Sequence, residues 1–297
     1  MSYTNLGMTW LAEQTANEFS RGFRNQNGLL KVAKKIILEP GKTAITTPIP
    51  GATASTTRTT GSAYTAAKPT DTAFTLTPAT EYGYALGVDR LDQVANLYDI
   101  PKFYMGNILG SIFEGLSTAL WALVPSLTTN VIGTLGTTPE IAILNTAYKK
   151  LMEAKAWKDE RWVAVIGPSE AEAWKTSASW SDLGPASQDA ITNGSIQSKY
   201  GFDIYEDQDR YASGENALCV AMHPSALQVC FRSSLGPLGP GEVGGQATDP
   251  ETGITFFTRA KNAADSTTGE GFNVQVFCVA AVGEAYDAFG VKIQSAS

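Results

Sequence analysis

One stretch of this 297-residue chain cannot build a core of its own, and that limits what the whole can be. Between residues 41 and 80 threonine recurs at 43, 46, 47, 53, 56, 57, 59, 60, 65, 70, 72, 75, 77 and 80. Prolines punctuate it at 48, 50, 69 and 78, and large apolar side chains are few. Threonine favours extended backbone, but too little apolar surface is present to offset the entropy of ordering so long a segment. The stretch reads as a two-stranded excursion, with Ala73 to Thr77 as its return strand, that gains order from neighbouring protein. The competing reading is a disordered linker, although a long uncored loop inside a compact domain is unusual.

The rest alternates helix and strand signals. Residues 1 to 28 read as an arm whose helix is capped at Thr9 and carries Trp10, Leu11, Phe19 and Phe23. Leu29 to Leu38 is a strand candidate. Tyr82, Tyr84, Leu86 and Val88 alternate as a strand does. The strongest periodicity follows: Leu91, Val94, Leu97 and Tyr98, then Met105, Ile108, Leu109, Ile112, Phe113, Leu116, Leu120 and Leu123. That spacing is an amphipathic helix over 89–123, either kinked at Pro101 or restarted there with Asp99 as cap. Thr138-Pro139-Glu140 reads as a helix start, Trp162 to Ile166 as a buried strand, and Gly167-Pro168-Ser169 as the opening of a helix through Lys175. Asn193-Gly194 reads as a turn, and Phe202 to Tyr205 and Ala217 to Met222 as strands. His223-Pro224-Ser225 starts a short helix, residues 233–253 read as a Gly- and Pro-rich loop, and Ile254 to Lys261 and Phe272 to about Val282 as long strands. A polar tip, Asn262 to Gly271, joins these two, and Phe289 to Ile293 closes the chain. The fold class is α+β.

Charged residues make up 17%, below the roughly 25% of typical soluble domains, as expected of a surface that largely meets other protein. The net charge is −7, and the nearest basic cluster, Lys31, Lys34 and Lys35, is too small for tight nucleic-acid binding. Cys219, Cys230 and Cys278 are widely spaced among apolar neighbours and read as buried free thiols in a reducing compartment. The first residues carry neither a basic nor an apolar signal-peptide region, and no apolar run approaches a membrane span, so the expectation is a protein made and kept in a cytoplasm.

Catalytic signals are weak. His223 is the single histidine, and a hydrolase would need it as base, yet its place before Pro224 suits a capping role. One histidine and three scattered cysteines offer no zinc spacing, and no cofactor or metal is expected. Gly239, Gly241 and Gly244 fit G-x-G-x-x-G without the following helix that would hold a phosphate. Glu206, Asp207 and Asp209 form an acidic cluster read as a solvated loop, with a divalent cation as the less favoured reading.

Four passages, in order, carry a resemblance. Trp162-Val-Ala-Val-Ile-Gly-Pro-Ser-Glu-Ala looks like a strand followed by a Ser-Pro-Glu-Ala helix start. Ile191-Thr-Asn-Gly-Ser-Ile-Gln-Ser-Lys-Tyr-Gly-Phe-Asp-Ile-Tyr, Ala217-Leu-Cys-Val-Ala-Met-His-Pro-Ser-Ala-Leu and Val279-Ala-Ala-Val-Gly-Glu-Ala-Tyr-Asp-Ala-Phe-Gly-Val follow. With the arm, hairpin and long helix before them, they resemble the major capsid proteins of tailed bacteriophages, the fold named after coliphage HK-ninety-seven. The resemblance covers most of residues 29–293.

The resemblance implies residues 1–40 as N-terminal arm and first strand, 41–80 as an extended loop, 81–129 and 231–297 as a peripheral domain with a spine helix, and 130–230 as an axial domain. It implies hexamers and pentamers of this chain in an icosahedral virion capsid, assembled in the host bacterial cytoplasm around double-stranded DNA held by weak non-specific contact. Further partners would be portal and scaffolding proteins and a cement or decoration protein, with no membrane. Scaffolding would come from a separate protein. A subunit crosslink through Lys42 or Lys68 and Asn262 is not expected. Pro101 and the Gly-rich residues 236–245 are the expected points of adjustment. The rival readings are an encapsulin-like nanocompartment shell, a hydrolase using His223, and a tail or decoration protein.

Overall fold

The computed structural model describes residues 28–49, 60, 71–89, 100–176, 198–213, 216–234, 242–248, 254–262 and 271–296. The expected arm helix, Lys68, the Asn193-Gly194 turn and the tip at 263–270 lie outside the described residues.

Leu29 and Leu30 are buried, and they anchor a single helical turn, α1 (Leu29–Val32), before strand β1 (Lys34–Leu38). The expected strand is therefore shorter. Its first residues coil because the Leu29 N–H is taken up by a distant carboxylate and Gly28 turns the chain with φ +125°. β2 (Ile45–Ile49) and β3 (Thr72–Leu76) pair antiparallel as a two-stranded ribbon. Pro48 removes a donor from β2, which a ribbon with an open edge tolerates. β4 (Thr80–Asp89) precedes helix α2 (Ile100–Trp121), whose Pro101 sits in the first turn, where a missing N–H costs nothing. Residues 90–99, which would carry the expected kink, are outside the described residues.

β5 (Val131–Gly133) and helix α3 (Ile143–Glu153) follow. The expected start of α3 at Thr138 is displaced because the Trp174 indole donates to the Pro139 carbonyl at 2.7 Å, and the chain turns at Glu140 before coiling. Then come β6 (Trp162–Ile166), α4 (Pro168–Thr176), β7 (Ser198–Lys199), β8 (Phe202–Glu206), β9 (Ala212–Ser213) and β10 (Asn216–Met222). β11 (Leu227–Arg232), β12 (Glu242–Thr248), β13 (Thr255–Asn262), β14 (Gly271–Glu284) and β15 (Gly290–Ala296) complete the chain. β12 corrects the expected loop at 233–253: its Gly-rich backbone is extended because β13 supplies the ladder partners, Gly244 opposite Arg259.

Two sheets result. The seven-stranded sheet runs β5-β15-β10-β6-β8-β7, with β9 on β10. Its central strand β6 is buried along its whole length, as a continuous apolar run between two partners should be. In the six-stranded sheet β14 is the axis. Ala280 pairs with both Thr80 of β4 and Phe231 of β11, so β4 lines one edge of β14 while β13 and then β11 line the other. Strand membership crosses the expected domain boundaries at two places. β15 joins the seven-stranded sheet, and β11 begins the return into the six-stranded one at Leu227.

Helix α2 presents Ile112, Leu116 and Leu120 to a core cluster that draws on both sheets, from Val165 and Phe202 to Val229, Phe256 and Val276. Fully burying each such side chain contributes about 1.5–3 kcal/mol. The close approach of β4 to β14 depends on Gly83. A Cβ there would lie 2.4 Å from the Phe277 Cβ and 2.6 Å from the Val276 carbonyl oxygen. Gly83→Ala should therefore lower the urea midpoint of unfolding by the equivalent of about 2 kcal/mol. An unchanged midpoint would mean that β4 shifts freely along β14.

Candidate assembly site

The hairpin is rooted by a few small contacts. Phe74, Leu76 and Ile45 pack on Leu38, Cys230 and Ala281 in a cluster separate from the main core. Gly283 of β14 makes the seat: a Cβ there would meet Leu76 Cδ2 and Phe74 Cζ, each at 2.7 Å. Beyond this root the ribbon is largely exposed and is tied across by the Thr46–Thr75 hydroxyl pair at 3.0 Å. The observed return strand, Thr72–Leu76, falls one residue before the expected one.

Asp207 was expected on a solvated loop, and the structure corrects this. It is buried, and its carboxylate gathers three donors. The Leu29 N–H reaches Oδ2 at 2.8 Å, the Trp121 indole N–H reaches the same oxygen at 2.9 Å, and the Asp209 N–H reaches Oδ1 at 3.0 Å. One side chain after β8 thus holds the root of the N-terminal arm and the last residue of α2. Gly28 is required beside it, because a Cβ would lie 2.5 Å from Oδ2. Burial and the charges of Asp207 and Glu114 raise the Asp209 carboxyl above its ordinary range, and a Ser117 hydrogen bond opposes them.

Three residues on, Arg210 meets a second set of partners. It pairs with the fully buried Glu170 and donates to Ser169 Oγ at 2.8 Å and to the Ala296 carbonyl at 3.1 Å. Glu170 also accepts from the Gly167 N–H at 3.1 Å and from the Ser295 hydroxyl. Both ions are therefore saturated with partners, which a buried pair needs to offset its desolvation. The pattern Glu170…Arg210 carried no sequence signal, since 40 residues separate the two.

His223 is fully buried, and both ring nitrogens are engaged. Nδ1 accepts from the Ser225 N–H at 3.1 Å, capping the 3-10 turn Pro224–Ala226, and Nε2 bonds Asp159 at 2.9 Å. Among the described residues, Ser225 meets this ring through its backbone N–H. Burial pushes the Cys219 and Cys278 thiols up to about 12 and raises Cys230, which removes thiolate chemistry at ordinary pH. Among the described residues no three His, Cys, Asp or Glu side chains gather to hold a metal, and no described helix is long and apolar enough to cross a membrane. Of the G-x-G-x-x-G glycines, Gly244 lies in β12, and Gly239 and Gly241 lie outside the described residues. Lys42 forms an exposed ion pair with Glu39 at 2.6 Å, and Asn262 ends β13 opposite Phe272.

Several exposed apolar side chains lie at or near sheet edges. Tyr84 on β4 is 48% exposed, Ile37 lies on the edge strand β1, Val131 on the edge strand β5, and Leu135 just beyond it is 45% exposed. Unpaired edges carrying apolar side chains are templates for association.

No protein-family model and no curated protein sequence matches the chain. Solved structures do match its backbone. The capsid structure of cyanophage P-SCSP1u superposes with a TM-score of 0.63 at 11% identity, covering 91% of this chain and 88% of that one. The chain has the phage capsid-protein fold. The capsid of Ralstonia phage GP4 shares this capsid fold at TM-score 0.58 and 12% identity, over 92% of both chains. A virus-like particle from Pyrococcus furiosus does so at 0.54 and 10%, covering 94% of this chain and 98% of that one.

The Asp207 clasp within this capsid fold is testable on the isolated chain. Asp207→Ala leaves the Leu29 amide and the Trp121 indole unsatisfied and should cost about 3 kcal/mol in urea unfolding, with Trp121 fluorescence shifting toward that of a wetted indole. Asp207→Asn keeps an acceptor and should cost less. Equal stability of all three proteins would remove the clasp.

Proposed function

We propose that this chain is the major capsid protein of a tailed bacteriophage, assembling as hexamers and pentamers into the icosahedral head that encloses double-stranded DNA. The observation that carries the reading is the match of its backbone, over nine-tenths of its length, to capsid subunits. The rooted but exposed hairpin supports it, because an excursion without a core gains contacts only from a neighbouring subunit. Residues 1–40 act as arm and first strand, 41–80 as the extended loop, 81–129 and 231–297 as the peripheral domain and 130–230 as the axial domain, with β15 pairing across into the latter's sheet. Portal, scaffolding and cement proteins are its further partners. An acidic chain of net charge −7 holds DNA only weakly. The place of action is the virion, with assembly in the host bacterial cytoplasm.

The virus-like particle of Pyrococcus furiosus favours one second reading, an encapsulin-like compartment shell. Electron microscopy of the expressed chain, alone and with the products of adjacent genes, separates the possibilities. Uniform closed shells support shell assembly, and co-packaged DNA against co-packaged protein distinguishes head from compartment. Small discrete oligomers under every condition would overturn both.

The hairpin gives a second test. Replacing residues 50–70 by a short Gly-Ser turn should leave the thermal midpoint within about 2 °C, as expected of a segment poor in large apolar side chains, and should abolish shells. Shells of normal size from this variant would refute the clasping role.

A further inference from the structure

Two of the chain's passages between the two sheets are short and lie side by side. β10 leaves the seven-stranded sheet at Met222, and β11 enters the six-stranded sheet at Leu227. β14 leaves the six-stranded sheet at Glu284, and β15 enters the seven-stranded one at Gly290. The two crossings are bonded to each other. The His223 N–H donates to the Phe289 carbonyl at 3.0 Å, and the Ala285 and Tyr286 N–H groups donate to the Ala226 carbonyl at 2.9 and 3.3 Å. His223, the only histidine in the chain, sits at the centre of this junction and is fully buried.

Its hydrogen bonds point to one tautomer of the neutral ring. Nδ1 accepts from the Ser225 N–H, so it carries no proton, and the ring proton is on Nε2, directed at Asp159. A proton added to Nδ1 would face the Ser225 N–H, donor against donor. We propose that His223 is a proton-operated staple between the two crossings, closed while Nδ1 is bare and opened when Nδ1 is protonated.

The surrounding groups leave this nitrogen as the one that changes. From the segment before β6, Asp159 meets Nε2. Its carboxyl is held below the ordinary carboxylate range, chiefly by the hydrogen bond from His223 itself, so it remains ionised through the window in which histidines change charge. From the same segment Trp157 meets the ring edge-on at 5.9 Å, and from the second crossing Phe289 does so at 6.1 Å. Tyr286, 5.1 Å from both Trp157 and Phe289, has its hydroxyl raised by burial and stays neutral. The Asp159 bond thus persists or strengthens on acidification, and the loss falls on the Ser225 cap. The sign follows: the staple holds at neutral and higher pH and is released as pH falls. This inference is independent of the capsid reading.

The test is hydrogen exchange of the full-length protein, corrected for the intrinsic pH dependence of exchange, with nuclear magnetic resonance of its single imidazole. Peptides spanning 223–227 and 285–289 should exchange roughly five- to tenfold faster at about pH 5.5 than at about pH 8, with a midpoint that coincides with the imidazole titration. His223→Asn places an amide oxygen where Nδ1 was, keeps the cap and binds no proton, so its protection should not change with pH. Equal pH dependence in the two proteins would overturn the proposal. If the variant fails to fold, the wild-type comparison still decides: an imidazole that titrates without loss of protection, or that does not titrate while the junction opens, refutes the staple.

Discussion

The Asp207 carboxylate is the contact on which most of the architecture depends. It terminates β8, receives the first amide of α1 and holds the indole at the end of α2. Three segments that are far apart in sequence are thereby fixed to one point. A buried carboxylate is costly unless its acceptor capacity is filled, and here three N–H groups fill it. Arg210, three residues later, anchors the same connection to Glu170 and to the backbone of the last strand. The loop after β8 is short, but it ties the arm, two helices and the last strand.

The two sheets behave as one packed unit because their cores are continuous and their crossings are bonded. Leu29, Leu116, Val165, Phe202, Val229 and Val276 belong to a single cluster. The crossings at His223 and Tyr286 share backbone hydrogen bonds and an aromatic group in which Trp157, Tyr286 and Phe289 lie about one ring diameter apart. The hairpin is different. Among the described residues, Phe74, Leu76 and Ile45 root it against a second, smaller cluster. A packed body thus carries a lightly rooted ribbon.

Apolar period gave α2 its existence and its C-terminal half, and the all-apolar run from Trp162 to Ile166 gave the centre of a sheet. Both readings work because burial of a repeating face is a local property. Turn residues placed His223-Pro224 at a short helix for the same reason. The errors have a common cause. Residues 242–248 look like a loop by composition, and β13 makes them a strand. Thr138-Pro139 looks like a helix start, but Trp174 bonds the Pro139 carbonyl and the helix begins at Ile143. Asp207 looks solvated among acids, and its partners lie 178 and 86 residues away.

The sequence by itself determined that this chain has a folded α+β body, a threonine-rich segment poor in large apolar side chains, and buried thiols. Those follow from which side chains exist and how they repeat. Only the tertiary structure decided which acid is buried, which glycines seat a neighbouring strand, where each sheet takes its last strand and which nitrogen of His223 carries the proton. Each of these depends on a partner brought close by folding, and pairing across a hundred residues leaves no trace in local spacing.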